Sequence, residues 1–372
     1  MTDKMQPKIR FKGFTDPWEQ RKLGDLLIKR SRPVQMIDSK SYKLVTVKRR
    51  NNGIVLRGIY KGAEVKVKSQ FMLKRGDFVI SKRQVVHGAD GIVPKSLEGA
   101  IVSNEYLILN GGHGLNTDFF GILATTPMMY KMFFLSSYGI DIEKLVFNVQ
   151  DWEKRKITLP GLMEQEHINH IIKTLKSSIA ANQNKVDQLK QLKKLLMQKV
   201  FSQEWRFKGF TDPWEQRKFS QIAQRSSEQT DDLELPRVEF EDIVSGEGKL
   251  REGYVPKHDS RKGVVFRPGD ILFGKLRPYL KNYLHPDFKG IALGDFWVLT
   301  SSSFNTKFIY QLIQSDHFQR IANISTGTKM PRSDWNLVSE TKFFIPTSKI
   351  EQRTIGDTLF NLELNIAANQ AF

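Results

Sequence analysis

The sequence contains no cysteine, which excludes disulfide bonds, thiol nucleophiles and cysteine-ligated zinc. It also has no apolar run of about eighteen residues, the length that a membrane-spanning helix needs. The first residues, MTDKMQPKIRFKGF, lack the apolar segment of a secretory signal peptide. These absences predict a soluble protein of the cytoplasm with no membrane association.

Catalytic motifs are missing as well. There is no GxxxxGK(S/T) phosphate loop, no GxGxxG dinucleotide motif and no Gly-rich loop for adenosylmethionine. The Glu-x-Lys triplets at 64–66 and 247–249 have no partner acid that would complete a nuclease site. His167 and His170 have no third metal ligand. We predict no catalytic residue and no metal site, with an enzyme of unfamiliar type as the alternative.

Positive charge is what the sequence has in excess. Its 372 residues carry a formal net charge of +18, and the chain is long enough for two or more domains. Such an excess favours binding to a polyanion, and nucleic acid is the first candidate. The alternative is a chain made basic for solubility or for an acidic protein partner.

An internal repeat organises the chain. RFKGFTDPWEQRK occupies residues 10–22 and recurs without a change at 206–218. Because the tract is polar, packing alone does not explain this identity, which indicates recent duplication or a partner surface met twice. Trp18 and Trp214 are interpreted as anchors that hold each tract to the domain that follows.

A strand-rich domain follows each tract, and the two domains differ in sequence. Gly-Asp-Phe-Val-Ile at 76–80 corresponds to Gly-Asp-Ile-Leu-Phe at 269–273, and a helical segment follows near 118–136 and 305–322. The tracts that flank the domains are therefore repeated, whereas the sequences of the domains themselves differ. This is the pattern expected when two halves share one task and recognise different things.

A long helix is predicted from about residue 163 to residue 203, where neither Gly nor Pro occurs. Its apolar positions alternate in steps of four and three, which is typical of a narrow stripe that packs on another helix. The stripe comprises Ile168, Ile172, Leu175, Ile179, Asn182, Val186, Leu189, Lys193, Leu196 and Val200. The alternative is a long surface helix lying on a globular core.

The start of this stripe recurs at the end of the chain. Ile355, Leu359, Leu362, Ile366 and Asn369 repeat the first five positions, and IAANQ is identical at 179–183 and 366–370. Each helix is therefore the predicted partner of the other, with both isoleucines of IAANQ buried. The paired asparagines either fix the register or are solvated. The second helix stops two residues after IAANQ, so we expect a shortened chain or a missing half supplied by another chain.

Basic turns are the candidate DNA contacts. Arginine and glutamine can bind base edges, lysine neutralises phosphate, and tyrosine can stack. The candidates follow the Gly-Asp strands and lie in the TGTKMPRS loop, with ordinary solvated turns as the alternative. They are Lys82, Arg83, Gln84, Lys275, Arg277, Tyr279, Lys281, Lys329 and Arg332.

The whole chain resembles the DNA-specificity subunit of type I restriction–modification enzymes (the S subunit, or HsdS, family). The FKGFTDPWEQRK frame, GDILFGKLRPYLKN, TGTKMPRSDW and the two Pro…EQ…IAANQ helices carry the resemblance. It implies an α+β fold with two mixed α/β target recognition domains, separated by long helices that pair as an antiparallel coiled coil. The implied parts are 1–160, the spacer helix 161–204, 205–346 and the terminal helix 347–372.

The resemblance also implies a function. Each recognition domain would read one half of a bipartite asymmetric site in double-stranded DNA, while the helices set the spacing and dock two modification subunits. Restriction subunits would join them, and S-adenosylmethionine, ATP and Mg²⁺ would bind to these partners and not to this chain. A non-catalytic decoy or inhibitor of such a complex is the alternative.

Overall fold

The computed structural model describes residue 7, residues 9–324 and residues 330–370. The chain divides into two compact units, Met1–Ser178 and Ile179–Phe372, called unit 1 and unit 2. Both contain helices and strands, so the predicted α+β class is confirmed. Within the described residues, no helix is both long and apolar enough to cross a bilayer.

The described residues of unit 1 form thirteen strands, four short α-helices and the first part of a long α-helix. The strands are β1 (Glu19–Lys22), β2 (Leu27–Lys29), β3 (Pro33–Val34), β4 (Ser41–Val47), β5 (Ile54–Lys61), β6 (Gln70–Met72), β7 (Phe78–Ser81), β8 (Asp90–Ile92), β9 (Ile101–Ser103), β10 (Tyr106–Gly111), β11 (Ser137–Tyr138), β12 (Val146–Phe147) and β13 (Lys156–Leu159). The helices are α1 (Leu23–Leu26), α2 (Thr117–Ala124), α3 (Pro127–Leu135), α4 (Val149–Lys154) and α5 (Leu162–Phe201).

Unit 2 repeats this sequence of elements. Its strands are β14 (Glu215–Lys218), β15 (Gln224–Arg225), β16 (Gln229–Thr230), β17 (Arg237–Val238), β18 (Ile243–Val244), β19 (Lys249–Leu250), β20 (Gly263–Phe266), β21 (Ile271–Gly274), β22 (Tyr283–Leu284), β23 (Gly290–Ala292), β24 (Phe296–Thr300) and β25 (Lys342–Ile345). Its helices are α6 (Phe219–Ile222), α7 (Thr306–Gln314), α8 (Asp316–Ala322), α9 (Trp335–Glu340) and α10 (Lys349–Gln370).

Most strands of the sheets in one unit have a counterpart in the other unit. The antiparallel order β2-β10-β7-β8 matches β15-β24-β21-β22, and the pair β1-β13 matches β14-β25. A second sheet has the order β3-β6-β9-β4-β5 in unit 1 and β16-β20-β23-β17 in unit 2. In both, one pair is parallel: β4 with β9, and β17 with β23. At the edge where unit 1 has strand β5, the described part of unit 2 has only an isolated antiparallel bridge between Arg237 and Lys257.

Each of the two predicted helical segments, 118–136 and 305–322, contains two helices. Thr126 caps α3 and Pro127 opens it, which separates α3 from α2 because proline supplies no N–H to continue the earlier helix. In unit 2, Ser315 performs the same separation between α7 and α8. Asn116 and Asn305 cap α2 and α7 through their side-chain oxygens.

A buried ion pair fastens the repeated tract to the long helix in each unit. Arg10 binds both carboxylate oxygens of Glu164 at 2.9 and 2.6 Å, and Trp18 Nε1 donates to the same carboxylate. Arg206 and Trp214 bind Glu351 in the same way. These contacts give part of the tract a packing role. The sequence analysis interpreted the two tryptophans as anchors, but it did not find the Arg–Glu pairs.

The glutamine after each of these glutamates ties the long helix to the cap of the neighbouring helix. Gln165 accepts from the Asn116 backbone N–H at 2.8 Å and donates to the Pro160 carbonyl at 2.8 Å. Gln352 repeats both bonds with Asn305 and Pro346. The Glu-Gln pair is thus the point where tract, cap and long helix meet, and it is identical in the two units.

In unit 1, the beginning of α5 packs on the domain core. Ile168 lies against the cluster that contains Phe120 and Trp152. Ile172 is half-buried and Leu175 is exposed. Ile168 thus packs on the core of its own domain. The sequence analysis had placed it in a stripe that packs on another helix.

In unit 2, α10 runs antiparallel to the end of α5. The Asn182 amide donates to the Asn369 carbonyl at 2.7 Å, Lys193 pairs with Glu363, and Val200 lies in the core that contains Ile355 and Leu359. Leu362 is half-buried and Ile366 is 8 % exposed. Ile179, however, is 63 % exposed, so the prediction that both IAANQ isoleucines are buried was wrong for the first copy.

Candidate DNA-binding surfaces

In unit 1, the predicted residues 82–84 form the turn that leaves β7. Lys82 donates to the Asn104 carbonyl at 2.7 Å, and Arg83 pairs with Glu105 at 2.6 Å. Gln84 accepts from Arg49 Nε at 2.6 Å through its side-chain oxygen. Arg83 is exposed, whereas Lys82 and Gln84 are half-buried. Lys82 and Gln84 therefore have structural partners, which leaves fewer free polar groups on this turn than the sequence suggested.

A second basic turn, missed by sequence reasoning, lies beside it. Residues 48–53, KRRNNG, join β4 to β5, and this turn is called the Arg49–Arg50 turn. The Arg50 N–H donates to the His87 carbonyl at 2.7 Å, and the Asn51 N–H donates to the Gly88 carbonyl at 2.8 Å. The Asn-Gly pair between two strand-like runs was the available signal for this hairpin.

The turn is also fastened to a buried carboxyl group. Asn51 donates to Asp90 Oδ1 at 3.4 Å, while Asp90 Oδ2 is buried without a hydrogen-bond partner in the described structure. Burial raises the pKa of Asp90 to about 7, and the bond from Asn51 lowers it only in part. Asp90 therefore releases its proton near neutral pH.

Replacing Asp90 by asparagine should stabilise unit 1 above pH 7. The native carboxyl holds its proton up to about pH 7, whereas its ordinary pKa is 3.8, so folding stability falls as pH rises between these values. The variant lacks this loss, and the gain at pH 8 should be on the order of 2–4 kcal/mol. Denaturant unfolding at pH 5 and pH 8 measures it, and an equal effect at both pH values would contradict the prediction.

In unit 2, two of the predicted cations, Lys275 and Arg332, pair with the same carboxylate, that of Asp295. The Arg277 N–H donates to the Pro331 carbonyl at 2.7 Å, which joins the turn after β21 to the segment before α9. Asp295 pairs with Arg332 at 3.0 Å and with Lys275 at 3.5 Å. The hydrogen bond from Arg332 holds the pKa of Asp295 below its usual value. Lys275 and Arg332, 57 positions apart in sequence, thus lie on one surface.

The remaining candidate DNA contacts of unit 2 lie on the turn after β21, except for Lys329. Arg277 and Lys281 enclose a single turn of 3-10 helix, and both have left-handed backbone conformations with φ of 47° and 55°. Tyr279, between them, is 56 % exposed. Lys329 lies outside the described residues. Lys281 also lines a cleft of about 860 Å³ with Lys190, Lys194 and Arg320, so positive charge extends from the turn towards α5.

Left-handed conformations of residues other than glycine are concentrated at these turns. The structure records five such positions among its described residues, and four of them are Arg50, Asn51, Arg277 and Lys281. Such conformations are uncommon outside glycine and often mark functional sites. Both units thus hold basic residues in strained turns.

The described residues contain no cluster of histidine and acidic side chains suited to a metal ion. His167 packs between the rings of Phe11 and Phe14, and Glu247 pairs with Lys249 beside it. Glu64 accepts from the Lys61 backbone N–H. These residues have structural roles, and they form no catalytic arrangement with one another.

Known proteins match this chain in part of its sequence and along nearly all of its fold. Residues 15–191 match the family described as the type I restriction modification DNA specificity domain. No curated protein matches the sequence. The S subunit of the type I restriction–modification system from M. genitalium superposes with a TM-score of 0.58 at 12% identity, covering 99% of this chain and 94% of that one.

A second solved structure gives the same result. The HsdS subunit from Thermoanaerobacter tengcongensis superposes with a TM-score of 0.52 at 16% identity, covering 96% of this chain and 92% of that one. At these identities the likeness concerns the fold. Residues 15–191 are therefore similar in sequence to the type I restriction modification DNA specificity domain, and the chain as a whole has the fold of the S subunits.

Proposed function

We propose that this chain is the DNA-reading subunit of a type I restriction–modification complex, and that each unit reads one half of a bipartite site. The proposal rests on one observation: the two units share the same Arg–Glu–Trp contacts but present different basic surfaces. The Arg–Glu–Trp contacts are the same in both units, whereas unit 1 presents the Arg49–Arg50 turn and unit 2 presents the turn around Tyr279. A shared frame keeps assembly constant while the turns determine sequence preference.

The long helices would set the distance between the half-sites. Helix α5 has 40 residues, which corresponds to ~60 Å at ~1.5 Å per residue. The antiparallel contact of α10 with the end of α5 would stiffen it.

The exposed side of the repeated tract would bind the modification subunits. Arginine and tryptophan of the tract point to the glutamate of the long helix, but several identical residues are exposed in both copies. These are Lys12, Thr15, Asp16, Pro17, Glu19 and Gln20 with Lys208, Thr211, Asp212, Pro213, Glu215 and Gln216. Two equal surfaces suit two modification subunits. We expect restriction subunits to join them, and S-adenosylmethionine, ATP and Mg²⁺ to bind to these partners.

Exchanging residues 23–158 for those of a relative tests the assignment. With modification subunits present, the hybrid should methylate a site in which one half has changed and the other is kept. Mapping methylated adenines across a genome reads both halves at once. If both halves changed, one unit would not correspond to one half-site. If the chain bound DNA with no dependence on salt, the phosphate contacts expected of these basic surfaces would be absent.

A further inference from the structure

The Arg49–Arg50 turn belongs to the element that distinguishes unit 1 from unit 2. Strand β5 lies at the edge of its sheet and pairs with β4 over the whole length of β4, whereas the corresponding edge in unit 2 has only one antiparallel bridge, from Arg237 to Lys257. The turn that joins these strands contacts the segment after β7, where sequence reasoning had placed the DNA contacts. An added hairpin whose tip reaches the candidate DNA surface is a natural position for a recognition element.

The backbone of the turn is held in a conformation that its residues do not prefer. Arg50 and Asn51 have φ of 59° and 52°, and hydrogen bonds to the carbonyls of His87 and Gly88 hold both amides. Arginine is not a residue that favours this region, whereas glycine would be. The sequence thus places an arginine side chain at a position where the backbone alone would favour glycine.

The neighbouring side chains are engaged, but that of Arg50 is not. Arg49 binds Gln84 at 2.6 Å and Glu143 at 2.7 Å, and Asn52 donates to the Arg49 carbonyl. Arg50 is exposed, and in the described part of the chain no side chain or carbonyl group accepts a hydrogen bond from its guanidinium. All donors of that guanidinium are therefore available to an external ligand.

We propose that Arg50 is a specificity-determining residue of unit 1, which binds the edge of a guanine in the half-site read by that unit. The inference rests on the proposed function. A free guanidinium on a rigid turn can donate two parallel hydrogen bonds to O6 and N7 of guanine, a pattern that in the major groove distinguishes this base from the other three. Gln84, whose oxygen is held by Arg49, presents its amide donors to the same groove.

Replacing Arg50 by alanine tests the proposal in the complete complex with modification subunits. Binding is measured to duplexes that carry every single-base change of the wild-type site. The variant should lose its preference at one guanine of the unit 1 half-site by about 10- to 100-fold, the range of one bidentate contact. Preferences in the other half-site should not change. Arg50→Lys keeps the charge without the planar donor pair, so it should fail to restore the preference.

Arg57→Ala, an exposed arginine on β5 beyond the tip, is the matched control and should leave every base preference unchanged. Hydrogen exchange at the amides of residues 50 and 51 shows whether the turn keeps its bonds to His87 and Gly88. A uniform loss of affinity for all duplexes, or full rescue by lysine, would reduce Arg50 to a phosphate contact and overturn the proposal. An unchanged base preference would overturn it too. If the wild-type complex showed no bipartite preference, the proposed function would be the part that fails.

Discussion

Replacing Glu351 by alanine should lower the free energy of unfolding of unit 2 by ~3 kcal/mol or more. Glu351 is 1 % exposed and neutralises Arg206, whose guanidinium it binds through both oxygens, and it also accepts from Trp214. Removing one partner of a buried pair leaves the other charge without compensation, which typically costs about 3–5 kcal/mol. Arg206 is partly exposed and can regain some hydration, so we expect the lower end of this range.

Native-state hydrogen exchange, read separately for the two units, measures the effect. Glu164→Ala should produce the same loss in unit 1, because Glu164 holds Arg10 and Trp18 by the same bonds. Glu340→Ala is the matched control, since Glu340 forms an exposed pair with Lys218 and such pairs contribute about 0–1 kcal/mol. If removing Glu351 lowered the free energy of unfolding by as little as the control does, the structural role of its contacts with Arg206 and Trp214 would be contradicted.

Replacing Ile366 by lysine should separate α10 from the end of α5, whereas the same change at Ile179 should have little effect. Ile366 is 8 % exposed, and a lysine there must bury its charge or leave the helix contact, at a cost of several kcal/mol. Ile179 is 63 % exposed, so a lysine at that position remains in water and should change stability by about 0.5 kcal/mol or less.

The two variants form a matched comparison, because both carry the same substitution in the same pentapeptide. The readout is hydrogen exchange along α10 and residues 182–200, with the strands of unit 2 as the internal reference. Protection should fall only in the Ile366 variant. An equal loss in the Ile179 variant would mean that Ile179 is covered in solution, and the exposure on which the comparison depends would be wrong.

The repeated tract has a structural role at only some of its thirteen positions. Its arginine and tryptophan stabilise the junction with the long helix, which explains why they occur in both copies. Its exposed residues have no such contact, although they too are identical. The structural reason therefore covers only some of the thirteen positions, and a shared docking surface remains our proposal for the others.

Several features of this protein were determined by the sequence alone. The thirteen-residue repeat, the long helix and the Glu-Gln pair before each IAANQ predicted two similar units with a helix after each. The missing catalytic motifs, together with the resemblance to the specificity subunits, predicted a non-catalytic DNA-binding chain. The prediction of a long helix after each domain was confirmed at Leu162–Phe201 and Lys349–Gln370, because helical periodicity and repeat identity are encoded in neighbouring residues and need no knowledge of distant contacts.

Only the tertiary structure decided which side chains are free and which are engaged. Sequence spacing could not show that Arg49 reaches Gln84, that Arg332 and Lys275 share Asp295, or that Ile168 packs on a domain core. The exposure of Ile179 was missed for the same reason, because an apolar stripe marks a face without saying what covers it. Such contacts depend on strand order and on turns that bring residues together from distant parts of the chain, and no local pattern records them.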